Sequence, residues 1–546
     1  MGKGHILRNM LALLTLALAP VAPGFAADER QSLEELRNTV INLLQVLVDQ
    51  GVLSRDKAEQ MVKAAQEKAA ASAAALAKSE EGAVRVPYVP QIVRDEIAKQ
   101  VAEEVRPTVV ADVVHEARDE KWGVPGALPE WLTRTRVSGS VLIREEDILF
   151  ARGNQPNTVL NYYAINTAGG IGKLANPFEN LTEDRARFRG KARLGVESDL
   201  SDSLTAGVRV VTGNTSDLVS ETQTVDGTAP YQFGLDELFL RYDGHTTDHF
   251  TWLSAVGGRF LNPYGTPTDL VFNKDLTFTG AAVTGKLGIG DGSAEQSHLF
   301  MTLGAHQLQE IALSGHDKWL LGAQLGANLR WGDGQQLRLT GGFFDYLNVT
   351  GIRNAFGTTT YNYTAPTFLR QGNTYFDIAN QPDTSVNLFA LAARYRLADV
   401  NAVYTVPVGR YTFSVTADAV RNLGYDWRSV AAVANFIPRT TSATPVTVAR
   451  TLGYQAELAF GTPTVLAAGE WRGVFGYRYL QRDAVIDAYT DSDFHFGGTD
   501  ATGYYLVGDL GLANRLWLRF RYLSSNTIDG PAAGIDTVQI DLNTRF

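Results

Sequence analysis

The last eleven residues of the chain, Asp536 to Phe546, alternate between apolar and polar side chains. One parity carries Val538, Ile540, Leu542 and Phe546, with Thr544 as its only polar member, and the other carries Gln539, Asp541, Asn543 and Arg545. A period of two is that of a β-strand whose two faces meet different environments. The same alternation recurs along roughly four hundred residues, as it must when strands contact lipid on one side and a water-filled lumen on the other. The sequence therefore predicts a transmembrane antiparallel β-barrel closed by this strand.

Sixteen segments between residues 135 and 546 show this alternation, and an even number is what a bacterial single-chain barrel requires. They are centred on 135–144, 184–198, 203–212, 234–243, 250–261, 276–288, 297–308, 317–331, 335–347, 385–397, 409–421, 450–461, 469–482, 502–511, 515–524 and 536–546. Connections after the even-numbered strands are short, the tenth being moderately longer. Most connections after the odd-numbered strands are long. This asymmetry is typical of periplasmic turns and extracellular loops.

The eighth predicted strand has the dimensions of a membrane crossing. Trp319 and Trp331 lie at its two ends and share one parity with a series of leucines and alanines. Twelve residues at about 3.3 Å each span roughly 40 Å, and a tilt of about 45° reduces the height to roughly 28 Å. The height between the two tryptophans thus matches the thickness of the hydrocarbon core of a bilayer.

Composition excludes several other classes of protein. The 546 residues exceed one ordinary globular core but suit a large barrel with an appendage. Mean hydropathy is -0.11, and no interior run of about 18 apolar residues exists that would form a spanning helix. A formal net charge of -10 argues against a general nucleic-acid binder. Cysteine is absent, which removes disulfides, thiolate metal sites and cysteine nucleophiles.

The chain divides into four predicted parts. Residues 1–27 have the basic start, apolar stretch and small-residue cleavage site of a secretory signal peptide. Residues 28–81 form a helical, coiled-coil-like segment that we expect in the periplasm. Residues 82–134 form a Pro-punctuated helical linker that ends in a junction with two tryptophans. Residues 135–546 form the outer-membrane barrel.

The helical segment leaves two arrangements open. Leu33, Leu36, Val40, Leu43 and Leu47 are spaced as a heptad seam, which favours an oligomeric coiled coil. The seam is only about two heptads long. Gly51 and Ser54 also suit the end of one helix and the cap of the next, which would give an intrachain hairpin.

The second predicted strand has the most informative polar face. Arg185, Arg187, Arg189, Lys191 and Arg193 share one parity, and Phe188 and Leu194 lie on the other. Cations on a lipid face cost about 2–4 kcal/mol each near the bilayer midplane, so this face must point inward. Comparable inward positions on other strands are occupied by Arg209, Arg241, Arg338, Arg394, Arg396, Arg472, Arg478, Arg519 and Arg521. The sequence thus predicts a pore lined by arginine.

Two roles for these arginines remain open. Rings of like charge set pore selectivity, so a basic lumen would favour anions. Alternatively, the arginines pair with acids across the lumen and stiffen the wall.

A second open question is the connection after the fifth strand, residues 258–280, which holds Asp269, Lys274 and Asp275. This segment either folds inward as a constriction loop or lies at the surface with its aspartates in turns.

Several features together resemble the putative porin family of bacterial outer-membrane proteins. They are the signal peptide, the helical arm, the VPYVP break at 86–90, the WGVPGALPEWLTR junction at 122–134 and the segment that begins GRFLNPY at 258. The resemblance covers nearly the whole chain. It implies an outer-membrane barrel that passes small hydrophilic solutes by passive diffusion, with no catalytic residues to carry over. A homotrimer is expected by analogy with other sixteen-stranded porins.

Other functions find less support in the sequence. His245 and His249 flank a short turn with Asp248, but a solvated turn explains the HTTDH sequence better than a metal site, and no catalytic motif is evident. We therefore expect no enzyme activity, no cofactor, no metal and no nucleic-acid partner. The alternative function is an outer-membrane tether or surface receptor whose helical arm contacts the periplasm or cell wall, with conduction incidental.

Overall fold

The computed structural model describes residues 133–213, 218, 223–224, 230–290, 297–312, 314–332, 334–438 and 448–546. The signal peptide, the helical arm and almost all of the linker lie outside the described residues. No helix in the described part of the chain is long and apolar enough to cross a membrane.

The first eight wall strands are β1 Thr135–Phe150, β2 Arg185–Ser201, β3 Leu204–Thr212, β4 Phe233–His245, β5 Thr251–Leu261, β6 Thr277–Ile289, β7 Ser297–Gln309 and β8 Lys318–Trp331. The second eight are β9 Gln335–Leu347, β10 Arg396–Val408, β11 Tyr411–Asn422, β12 Leu452–Gly461, β13 Trp471–Leu480, β14 Ala501–Ala513, β15 Leu516–Thr527 and β16 Gly534–Arg545. Two short helices lie in the connections, α1 Tyr162–Ala168 and α2 Trp427–Ala432.

These strands form one closed antiparallel ring. Each strand pairs with its neighbours in sequence, and β1 pairs with both β2 and β16. Among the described residues the sheet has 17 strands, of which one is the two-residue segment Gln223–Thr224 added beside β2, so the ring itself has sixteen. The predicted sixteen-stranded barrel is confirmed.

Alternation along each strand separates an apolar outer face from a polar inner face. On β8, Leu321 and Leu325 are exposed on the outside, whereas Gln324 between them is buried inside. On β16, the closing strand, Gln539 and Asp541 are buried inside. Polar groups on the inner wall have partners there, such as Asp541 with Arg144, while most side chains of the outer wall are apolar.

The tenth strand corrects one prediction. The sequence predicts it at 385–397, but β10 begins at Arg396 and ends at Val408. Most of the predicted segment lies inside the barrel instead, where Phe389–Leu391 pairs with Tyr375–Asp377 in a separate two-stranded ladder. Phe389 is buried on every side, so an infolded loop segment showed an apolar pattern like that of a wall strand. The short turn after β10, residues 409–410, now matches the other even-numbered connections.

The connections after odd-numbered strands leave one end of the barrel, which we call the loop end, and those after even-numbered strands leave the other, the turn end; every connection longer than nine residues is at the loop end. Several long loops fold back into the barrel and form one apolar core with the inner wall. This interior core includes Ile165 of α1, Phe272, Tyr375, Tyr395 and Val485. Packed side chains of these loops therefore occupy part of the barrel interior.

Candidate functional site

The inner face of β2 carries the basic series that the alternation predicts. Phe188 and Leu194 are exposed on the outer wall, and the intervening odd-numbered residues point inward. Arg187 forms an ion pair with Glu146 of β1, and Arg189 lies 3.4 Å from the same carboxylate. Arg185, nearer the loop end, is exposed to the interior. Arg187 and Arg189, the members of this series nearer the loop end, thus share one acid on the neighbouring strand.

Lys191 and Arg193, the members of the β2 series nearer the turn end, form ion pairs with an infolded loop. Residues 262–276, between β5 and β6, lie inside the barrel, with Leu270 and Phe272 fully buried. Asp275 of this loop accepts from Lys191 at 2.7 Å and lies 3.0 Å from Arg193. Burial would raise the pKa of Asp275, but these cations hold it well below its usual range. Asp269 and Lys274 pair with each other at 3.5 Å.

A second infolded loop, residues 481–500, brings a carboxylate to the same wall. Asp493 lies 2.6 Å from Arg521 of β15, 3.0 Å from Arg144 of β1 and 4.0 Å from Arg189. Burial alone would raise the pKa of Asp493, and the surrounding guanidinium groups instead hold it well below its usual range. Asp493 is therefore ionised and locked among arginines.

Two cavities meet at Asp493. The first, of about 280 Å³, opens toward the loop end and is lined by Glu146, Arg185, Arg187, Arg189 and Arg370 among others. The second, of about 230 Å³, lies on the turn side and includes Arg144, Lys191, Arg193, Arg519 and Arg521. Ser492 and Asp493 belong to both linings. Both cavities lie along the wall of β1, β2, β15 and β16, and we name this pair of cavities the charged passage.

The other predicted lining residues occupy several environments. Arg209 binds both Asp236 and Glu237, because a bulge in β4 turns the two successive acids inward. Arg519 forms a bidentate pair with Asp509, and Arg478 donates to Gln455 and pairs with Asp491. The remaining placements are Arg241 with Asp243, Arg338 over the ring of Phe300, and Arg472 with the carbonyl of Pro463.

Arg394 and Arg396 do not join this passage. Arg396 lies opposite Asp345 of β9, 3.2 Å from its carboxylate, and Arg394 lies 3.6 Å from it. Leu397, the next residue of β10, is fully buried inside, so Arg396 points outward at the loop end. The predicted inward position followed from the misplaced tenth strand.

Sequence reasoning missed three residues that organise the site. Arg144 and Glu146 lie on the inner face of β1, which the sequence analysis placed at 135–144 and which continues to Phe150. Extending the alternation to Ile148, which is buried, would have found both. Asp493 lies on a loop, and no periodic signal marks where a loop residue points.

The described residues contain no group of three or more His, Cys, Asp or Glu side chains placed to hold a metal ion. His245, predicted to lie in a solvated turn, accepts or donates a hydrogen bond with Thr251 at 3.0 Å.

Comparison with solved structures finds matches of low sequence identity. OprB of Pseudomonas putida at high pH has a TM-score of 0.43 and 11% identity, covering 76% of this chain and 95% of that one. OmpT of Vibrio cholerae in its trimer form has a TM-score of 0.38 and 10% identity, with coverages of 76% and 99%. The outer-membrane channel DcaP of Acinetobacter baumannii has a TM-score of 0.37 and 8% identity, with coverages of 76% and 98%.

Comparison of the sequence itself is more informative. No curated protein matches the chain. A family model described as "Putative porin" matches residues 37–546, which include the whole barrel and much of the segment before it. The chain belongs to the putative porin family.

Proposed function

We propose that the protein is a bacterial outer-membrane porin that passes small hydrophilic solutes through the charged passage and prefers anions. Family membership and the closed ring of sixteen strands support the channel. In a spanning barrel of this kind the turn end faces the periplasm and the loop end faces outward. Solutes then enter by the first cavity, pass Asp493 and leave by the second.

The observation that supports anion preference is the balance of charge along the passage. Among the described residues, cationic side chains outnumber carboxylates four to three in the first cavity and seven to four in the second. Most of these cations have an acidic partner, which weakens the field that a free ring of arginines would give. We therefore expect a moderate preference for anions rather than strict exclusion of cations.

Reversal potentials in a salt gradient test this proposal. In planar bilayers the wild type should give stepwise ohmic currents and a reversal potential on the anion side. Replacing Arg187, Arg189 and Lys191 together by glutamine should shift that potential toward cations. The matched control neutralises Arg209, Arg241 and Arg472, three inner cations that line neither of the two cavities.

The outcomes separate the parts of the proposal. Absence of stepwise currents from folded protein would contradict the porin function and favour the tether or receptor. Equal reversal potentials for wild type and the β2 triple variant would contradict the arginine-lined passage while leaving the channel intact.

We also propose that the porin is a homotrimer. Light scattering would check this by measuring the mass of the detergent-extracted protein.

A further inference from the structure

A third cavity, of about 460 Å³, lies against the wall of β5 to β9, and no residue of these strands lines the charged passage. Pro263 and Gly265 of the infolded loop 262–276 also line it. Its lining contains the cations Lys286 and Arg338 and, among the described residues, no carboxylate. It differs in this from both cavities of the charged passage, where acids accompany the cations.

The register of the wall brings the polar groups of this cavity together near the turn end. His298 of β7, Asn328 of β8 and Arg338 of β9 lie directly opposite one another in a row across three adjacent strands. Lys286 of β6 lies opposite Phe300, two residues after His298 on the same inner face of β7. Three strand spacings of about 4.8 Å put the backbones of β6 and β9 roughly 14 Å apart. Long side chains from both strands can therefore meet over β7.

The head group of Arg338 lies over this gap. Its central guanidinium carbon is 5.4 Å from the centroid of the Phe300 ring, although Phe300 is two strands away. Its Nη2 occupies the space that a Cβ on Gly265 would fill. The guanidinium group is thus held between an aromatic ring and the backbone of the infolded loop, beside the residue that lies opposite Lys286. In this position it can present a fork of N–H donors to an oxyanion.

The positive charge of this cavity is not compensated by acids in the part of the chain that the structure describes. Neither Lys286 nor Arg338 forms an ion pair there. Asp243, on the neighbouring strand β4, is occupied, since it pairs with Arg241 at 2.8 Å and accepts from Ser254 at 2.7 Å. Two half-buried cations without a counter-charge raise the local concentration of anions.

Neutral hydrogen-bond donors complete the lining. The hydroxyl groups of Thr284 and Thr302 are 2.9 Å apart and share one hydrogen, so the second hydroxyl hydrogen can be donated to a ligand. Asn328 accepts from Gln336 through Oδ1 at 2.6 Å, and its amide nitrogen can donate in turn. The volume lies within the range of about 300–1,000 Å³ that is usual for small-molecule sites. Cations and neutral donors without a carboxylate suit an oxyanion.

We propose that this third cavity binds a small oxyanion, a phosphate or the carboxylate of an organic acid, between Lys286 and Arg338. Both cations contact the ligand, Arg338 through its N–H fork and Lys286 through its ammonium group, and the hydroxyl and amide groups orient it. The strands that form the site are not those of the charged passage, so binding here does not depend on conduction.

Protection of Lys286 from acylation tests the proposal. Full-length protein, in a detergent without phosphate or carboxylate groups, is treated with an N-hydroxysuccinimide ester in sodium chloride, phosphate or acetate at equal ionic strength and pH. Peptide mass spectrometry measures labelling of Lys286 relative to the exposed Lys173. Phosphate, acetate or both should slow labelling of Lys286 about threefold or more relative to chloride, because a bound oxyanion engages the amine that must react. Arg338→Gln should remove most of this protection.

Arg209→Gln is the matched control, because Arg209 is an inner-wall arginine that lines none of these three cavities and has Asp236 as its ion-pair partner. This variant should keep the protection of the wild type. Equal labelling of Lys286 in chloride, phosphate and acetate would overturn the proposal without any variant. Undiminished protection in Arg338→Gln would also overturn it. Protection by only one of the two oxyanions would support the site and identify the group that it binds.

Discussion

Asp493 contributes to the linings of both cavities and pairs with three arginines. Its carboxylate neutralises part of the positive charge of these arginines. Because these arginines hold its pKa well below the usual range, the ion pairs are complete above the ordinary aspartate pKa of about 3.9 and are lost only as pH falls through the lower, folded value. Between pH 5 and 8 Asp493 therefore stays ionised and keeps its ion pairs.

We therefore predict that Asp493→Asn increases anion preference. The variant leaves Arg144, Arg189 and Arg521 with one carboxylate fewer, so the ratio of anion to cation permeability should rise on the order of twofold. Reversal potentials at pH 7 measure the change. Asp236→Asn removes the same charge from an ion pair beyond both cavities and should leave the ratio unchanged; a matching rise there would show that Asp493 has no special position.

Among the wall strands, β10 is the one whose observed position differs from the sequence prediction. Val400 is 66% exposed on its outer face, whereas Val403 lies opposite Arg338 on the inner face. Val400→Arg should cost up to about 2–4 kcal/mol of barrel stability, and Val403→Arg much less, because only the first places a cation in lipid. Urea titration of both variants in lipid vesicles measures the difference. Equal losses would contradict this orientation of β10.

The reason that fifteen wall strands follow from sequence and β10 does not is physical. Alternation reports a surface with lipid on one side and water on the other, as around Leu325 and Gln324 of β8. The segment around Phe389 is enclosed by other loops on both sides, so its apolar residues carry no information about a membrane. For the same reason, periodicity predicted the inward arginines of β2 but not their partners Asp275 and Asp493, whose positions depend on how loops fold back.

At the scale of the whole molecule, the ring closes through pairing of β1 with β16, both of which lie after residue 134. In the part of the chain that the structure describes, this pairing joins residues 140–150 to residues 535–545. We predict that removing residues 28–81 leaves single-channel conductance unchanged while abolishing any co-sedimentation with purified cell wall. Conductance in planar bilayers and a sedimentation assay measure the two effects. A fall in conductance would show that the segment contributes to the passage.

The final residue has a consequence for how the chain reaches its native state. The backbone of Phe546 exchanges hydrogen bonds with Gly139 at 3.0 and 3.1 Å, and its ring covers that glycine where a Cβ would lie 2.2 Å away. The residue that follows β16 thus completes the pairing of β1. Before this pairing forms, β1 and β16 each present unpaired backbone groups to other chains. Removing Phe546 would take away two backbone hydrogen bonds and the ring contact with Gly139, and would leave this end of the seam open to pairing with another chain.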